Sequence, residues 1–93
     1  MWGINMKTIY PQNISWFYID RTMQIINKIN KQIISLNDQD LNFWLEIDKN
    51  ETYSVILLNL YSQIANSKEQ IIINFDNFLN RMIYMNVLQV ISN

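Results

Sequence analysis

The chain has no cysteine and no histidine, one glycine, one proline and one alanine among its 93 residues. Without cysteine there is neither a disulfide framework nor a thiolate metal site, and without histidine the usual transition-metal ligand and the commonest general base are both missing. A single glycine, Gly3, leaves no glycine-rich phosphate loop, and the serines have no histidine to activate them. The formal net charge is -1 and only 16% of the residues are charged, so there is no overall pull toward nucleic acid. No apolar run approaches the roughly 18 residues needed to cross a membrane. The opening MWGINMKTIYPQ, with one lysine and no apolar stretch, is not a secretory signal as written. Together these absences predict no catalytic residues, no cofactor and no metal, and a non-enzymatic role.

What is present is apolar and β-branched. Nearly half of the residues are hydrophobic, which excludes disorder and lets one domain, residues 1–93, bury a single core. Isoleucine and asparagine dominate, with 17 and 14 residues. Isoleucine favours strands, while alanine, the best helix former, is almost missing.

Periodicity places the elements. The stretch ETYSVILLNLYSQIAN puts Tyr53, Leu57, Leu60 and Ile64 on one helical face and Asn59, Ser62, Gln63 and Asn66 on the other, which predicts a central helix over about 51–66. Asn50 is its expected N-cap, with Glu51 favourably placed in the first turn. Tyr10-Pro11 predicts an extended lead-in. Over 14–36 the alternation of Trp16 and Tyr18, then Met23 and Ile25, favours strands, while Ile26, Ile29, Ile33 and Leu36 leave a helix open. Asn37 to Asp40 reads as a turn. LNFWLEID then alternates, predicting a strand with Leu41, Phe43, Leu45 and Ile47 inside and Trp44 outside. For 71–91, Ile71, Ile73 and Phe75 followed by Leu79, Ile83, Met85, Val87 and Ile91 favour two strands turning at Asp76-Asn77, with a helix carrying Ile71, Phe75, Phe78 and Met82 as the rival. The expected fold is α+β, a small twisted antiparallel sheet or barrel packed on one helix, and the alternative is an all-α bundle.

Extended strands followed by YSVILLNLYSQIANSKEQIIINFDNFLNRMIYM resemble the small barrel of the receptor-binding B subunits of bacterial A-B type toxins, the pertussis-like and subtilase-cytotoxin-like branches in particular. The residues that carry the likeness are Ile71, Ile73, Phe75 and Asp76, then Met82, Ile83 and Tyr84, and it covers about half of the chain. The resemblance implies a homo-oligomeric module that binds a cell-surface glycan and is secreted. The chain departs from the family in lacking cysteine and a signal sequence.

Two constellations remain. Asp38, Asp40, Glu46, Asp48 and Glu51 are five carboxylates offset by Lys49 alone. Phe43 stands where a calcium loop needs glycine and Lys49 where it needs glutamate, so the stretch is either a solvated face or an acidic patch for a basic partner. Arg21, Lys28 and Lys31 near Trp16, Phe17 and Tyr18 are too few to bind single-stranded nucleic acid. The candidate binding residues are thus Trp44, Asp38, Asp40, Glu46, Trp16 and Tyr18. Two functions follow: a glycan-binding, toxin-subunit-like homo-oligomer, or a cytoplasmic immunity or anti-defence inhibitor with its acidic patch on a basic target.

Overall fold

The computed structural model describes residues 7–49 and 52–92, so the expected cap at Asn50 and Glu51 lies outside the described residues. The elements run β1 (Lys7–Pro11), β2 (Ile14–Ile19), β3 (Thr22–Asn27), β4 (Ile33–Leu36), α1 (Asp38–Ile47), α2 (Tyr53–Gln63), α3 (Lys68–Tyr84) and β5 (Leu88–Ser92). The fold is α+β, as the hydrophobic periodicity predicts. Its strands form two small antiparallel sheets, β1-β5 and β2-β3-β4, and among the described residues neither closes into a barrel.

The 14–36 stretch is all strand and turn, as the Trp16/Tyr18 and Met23/Ile25 alternation predicts. Met23, Ile25 and Asn27 of β3 and Ile34 and Leu36 of β4 face the core. Asp20 and Arg21 turn β2 into β3 with φ of 48° and 65°, a two-residue hairpin loop in which both positions are left-handed. The central helix is present as α2, shorter than expected, with Thr52 at its N-cap. Its Tyr53, Leu57 and Leu60 are buried, and Ile64 lies half-buried at the C-cap.

Two expected strands, the expected turn at Asp76-Asn77 and part of a third strand are helical. LNFWLEID forms most of α1, in which Phe43, Trp44, Glu46 and Ile47 are buried together, a helical set and not an alternating one. Asp38 and Asp40 belong to its first turn, where carboxylates complement the helix dipole. Residues 71–84 belong to α3, which buries Ile71, Phe75, Phe78, Leu79 and Met82 along one face. Its start is fixed by Ser67, whose Oγ accepts the Gln70 N–H at 3.1 Å, half of a Ser-x-x-Gln capping box. Its end is a Schellman turn. Asn86 takes φ 61°, its N–H donates to Ile83 O, and the Val87 N–H donates to Met82 O at 3.1 Å. Only Leu88–Ser92 of the third expected strand is extended.

The core lies where the three helices meet β1, β3 and β4. Phe43 of α1 packs against Phe75 and Phe78 of α3 with ring centroids at 5.2 and 5.5 Å. β5 closes the fold by pairing with β1 from Lys7↔Ser92 to Pro11↔Leu88.

Candidate functional site

The β2-β3-β4 sheet has two edges. In an antiparallel ladder, bonded and non-bonded pairs alternate. The Asn27 N–H donates to Gln32 O, so Asn27↔Gln32, Ile25↔Ile34 and Met23↔Leu36 are the bonded pairs of β3 and β4. The backbone N–H and C=O groups of Ile33 and Ser35 therefore point to the open side of β4. An unpaired edge of this kind is a template for another strand. Ile33, 62% exposed, stands on that edge, and Ser35 is tied to its own sheet through Gln24 Oε1 at 2.7 Å.

Beside β4 runs α3. A groove of about 270 Å³ opens between the β3–β4 turn and the C-terminal end of α3, lined by Asn30, Gln32, Arg81, Tyr84, Met85 and Asn86. Tyr84 is 87% exposed and forms its apolar rim. Asn27 holds the two walls together. This buried amide donates from Nδ2 to Met85 O at 3.1 Å, while Oδ1 accepts the N–H groups of Ile29 and Asn30 at 2.9 and 3.3 Å. Arg81 is fixed by both carboxylate oxygens of Asp40 at 3.2 Å and lies over the Phe78 ring. The groove thus offers a held guanidinium, amide donors and acceptors and a phenol ring, and its wall at Gln32 leads directly into β4.

The residues singled out from the sequence do not converge. Asp40 reaches the groove through Arg81, and Asp38 is exposed at the start of α1. Trp16 and Tyr18 lie on the opposite edge, on β2, half-exposed and packed edge to face at 5.9 Å. Trp44 is the main correction: it is fully buried, because α1 is a helix and turns it inward beside Phe43. An outward anchor for a glycan or a basic target is therefore missing at Trp44.

Glu46 is also internal. Its Oε1 accepts from Asn59 at 3.0 Å, and its Oε2 accepts from Gln63 at 2.7 Å and from Lys49 at 2.8 Å. Burial pushes its carboxyl up, but these hydrogen bonds and the Lys49 charge outweigh burial and hold it below the usual carboxylate range. Glu46 thereby joins α1 to α2 and is not part of an exposed acidic patch.

A second groove, about 280 Å³, lies between the β1-β5 ribbon and α3 and includes Lys7, Tyr53, Asp76 and Asn80. The Tyr53 hydroxyl donates to Asp76 Oδ1 at 2.6 Å. Burial, reinforced by Asp76, raises this phenol well above its ordinary value, so it stays protonated. Among the described residues no three His, Cys, Asp or Glu side chains are grouped to hold a metal, and no helix is long and apolar enough to cross a membrane.

Asn27, Ile33, Ser35, Arg81 and Tyr84 are not among the candidate binding residues read from the sequence. The signal for the first was the Asn27-Lys28-Ile29-Asn30-Lys31 cluster, which marks a hairpin turn.

Comparison with known proteins adds a fold relative. No protein-family model matches the chain, and no curated protein matches it in sequence. Among solved structures, TbiB1 in complex with the TbiA(beta) leader peptide superposes with a TM-score of 0.77 at 10% identity, covering 84% of this chain and 91% of that one. At that identity the likeness speaks for a shared fold.

Proposed function

We propose that this chain is a peptide-recognition module that takes an extended peptide segment as an added strand on the open edge of β4, over the groove against α3. The observation that carries the reading is the edge at Ile33 and Ser35, unpaired among the described residues, with a lined groove at the β3–β4 turn that leads into it. Strand addition draws affinity from main-chain hydrogen bonds and specificity from alternate side chains that enter pockets. Here one set of peptide side chains would meet Arg81, Tyr84 and Met85 and the other would pass along Ile33. The leader peptide bound by TbiB1, a protein of similar fold, supports this choice of ligand class.

The test is selection of binders from a displayed library of random peptides, followed by fluorescence anisotropy on the purified chain. Ser35→Pro deletes an N–H that points away from β3, so the sheet keeps its ladder while the edge loses a donor. The expected result is a loss of about tenfold in affinity, as for one hydrogen bond removed at an interface. Peptides selected at equal frequency with and without the protein, or bound equally by the Ser35→Pro chain, would refute the proposal.

A further inference from the structure

The other edge of the same sheet is apolar on both faces. By the alternation set by the Lys28 N–H to Asn13 O bond, the bonded pairs of β2 and β3 are Ser15↔Ile26, Phe17↔Gln24 and Ile19↔Thr22. The backbone groups of Ile14, Trp16 and Tyr18 therefore point outward. Trp16, Phe17, Tyr18 and Ile19 are 46%, 42%, 48% and 53% exposed. Trp16 and Tyr18, opposite Ile25 and Met23, overhang the core on one face, and Phe17 and Ile19 stand on the other, opposite Gln24 and Thr22. From Ile14 to Ile19 the strand has no charge and no proline, the devices that normally keep an exposed edge from pairing.

We infer that β2 is a homodimer interface, pairing antiparallel with β2 of a second copy across a two-fold axis at Trp16. Only residues with outward backbone groups can bond, so the register that overlaps the two strands fully is Trp16↔Trp16 with Ile14↔Tyr18 on either side. This register makes three bonded pairs, and it lays an uncharged strand on itself with no like charges opposed. The area fits a weak dimer. Half of roughly 200 Å² for each of three aromatic side chains, with Ile14, Ile19 and the strand backbone, gives about 500 Å² per copy. The total of about 1,000 Å² is the lower bound for a specific interface. The product is a continuous six-stranded sheet whose two ends are the β4 edges.

Sedimentation velocity and native mass spectrometry over roughly 1 to 100 μM, the range that suits an interface of this size, give the test. The wild-type chain is expected to move from 11.2 kDa to twice that mass. Trp16→Lys and Trp16→Glu each place like charges at the two-fold axis and should weaken the dimer at least about tenfold, and mixing the two variants should restore a 1:1 dimer. Because the chain has no cysteine, a second test does not depend on those variants folding. Ser15 faces Phe17 of the other copy, so a Ser15→Cys chain mixed with a Phe17→Cys chain should cross-link to each other in preference to themselves. Ser35→Pro should leave the dimer unchanged, which separates this interface from the proposed peptide edge. A wild-type monomer at 100 μM, or a dimer indifferent to both Trp16 substitutions, would overturn the inference.

Discussion

Asn27→Ala and Asn27→Asp should separate three hydrogen bonds from one. The buried Asn27 amide ties the β3–β4 turn to the C-cap of α3 through one donated and two accepted bonds. Net contributions of about 0.5–1.5 kcal/mol each place the cost of Asn27→Ala at about 2–4 kcal/mol. Ile29 and Asn30 are exposed and their N–H groups can turn to water, which keeps the figure near the lower end. Asn27→Asp retains the two accepted bonds but sets a buried carboxylate oxygen against the Met85 carbonyl. It should therefore cost at least as much as alanine at pH 7. The introduced carboxyl has a raised pKa in the folded state, so its penalty should shrink as the pH falls and the group becomes a donor to Met85 O. Urea unfolding followed by tryptophan emission reports both variants, since Trp44 is buried, and the difference from wild type is taken at pH 7 and pH 4.5. A cost below about 1 kcal/mol for Asn27→Ala, or an Asn27→Asp penalty independent of pH, would mean that Asn27 does not hold the groove walls.

Glu46 predicts an acid limb of stability. Its folded pKa is depressed, so the stabilisation is complete above the unfolded value near 4.5 and is lost as the pH falls through the folded value. Glu46→Gln should cost about 1–3 kcal/mol at neutral pH and flatten that limb in urea titrations from pH 7 to 3, and an unchanged acid limb would contradict the assignment. Trp44→Ala should destabilise by about 3–5 kcal/mol, whereas Leu45→Ala, at a side chain 38% exposed, should stay within about 1 kcal/mol, and thermal melts giving the reverse order would restore the strand register.

The central helix was legible because it obeys one period only, whereas the strands of the three-stranded sheet were favoured over a helix that Ile26, Ile29, Ile33 and Leu36 left open. Trp16, Tyr18, Met23 and Ile25 alternate, and Tyr53, Leu57 and Leu60 repeat as a helix does. LNFWLEID alternates over eight residues, which read as a strand, although Phe43, Trp44 and Ile47 also fit a helical face and Asp38 and Asp40 stood where a helix N-terminus wants them. In 71–84 the isoleucine run suggested a strand, yet Ile71 is buried and Ile73 exposed, and the Ser67-to-Gln70 cap was the local sign of a helix. The candidate site was less accessible still. Whether a strand lies at an edge depends on pairing order, and Asp40 meets Arg81 across forty-one positions of sequence. Nothing local marks either.

The pairing of the first strand with the last also decides how this fold can be joined to other proteins. Lys7 and Ser92 are Cα partners at one end of the β1-β5 ribbon, about 5 Å apart, while Pro11 and Leu88 stand at the other, next to the groove that Met85 and Asn86 line. Four residues of strand, roughly 14 Å, separate the attachment points from the groove. Lys7 and Ser92 thus offer two neighbouring attachment points, and the segment between them could be spliced into a surface loop of a larger protein.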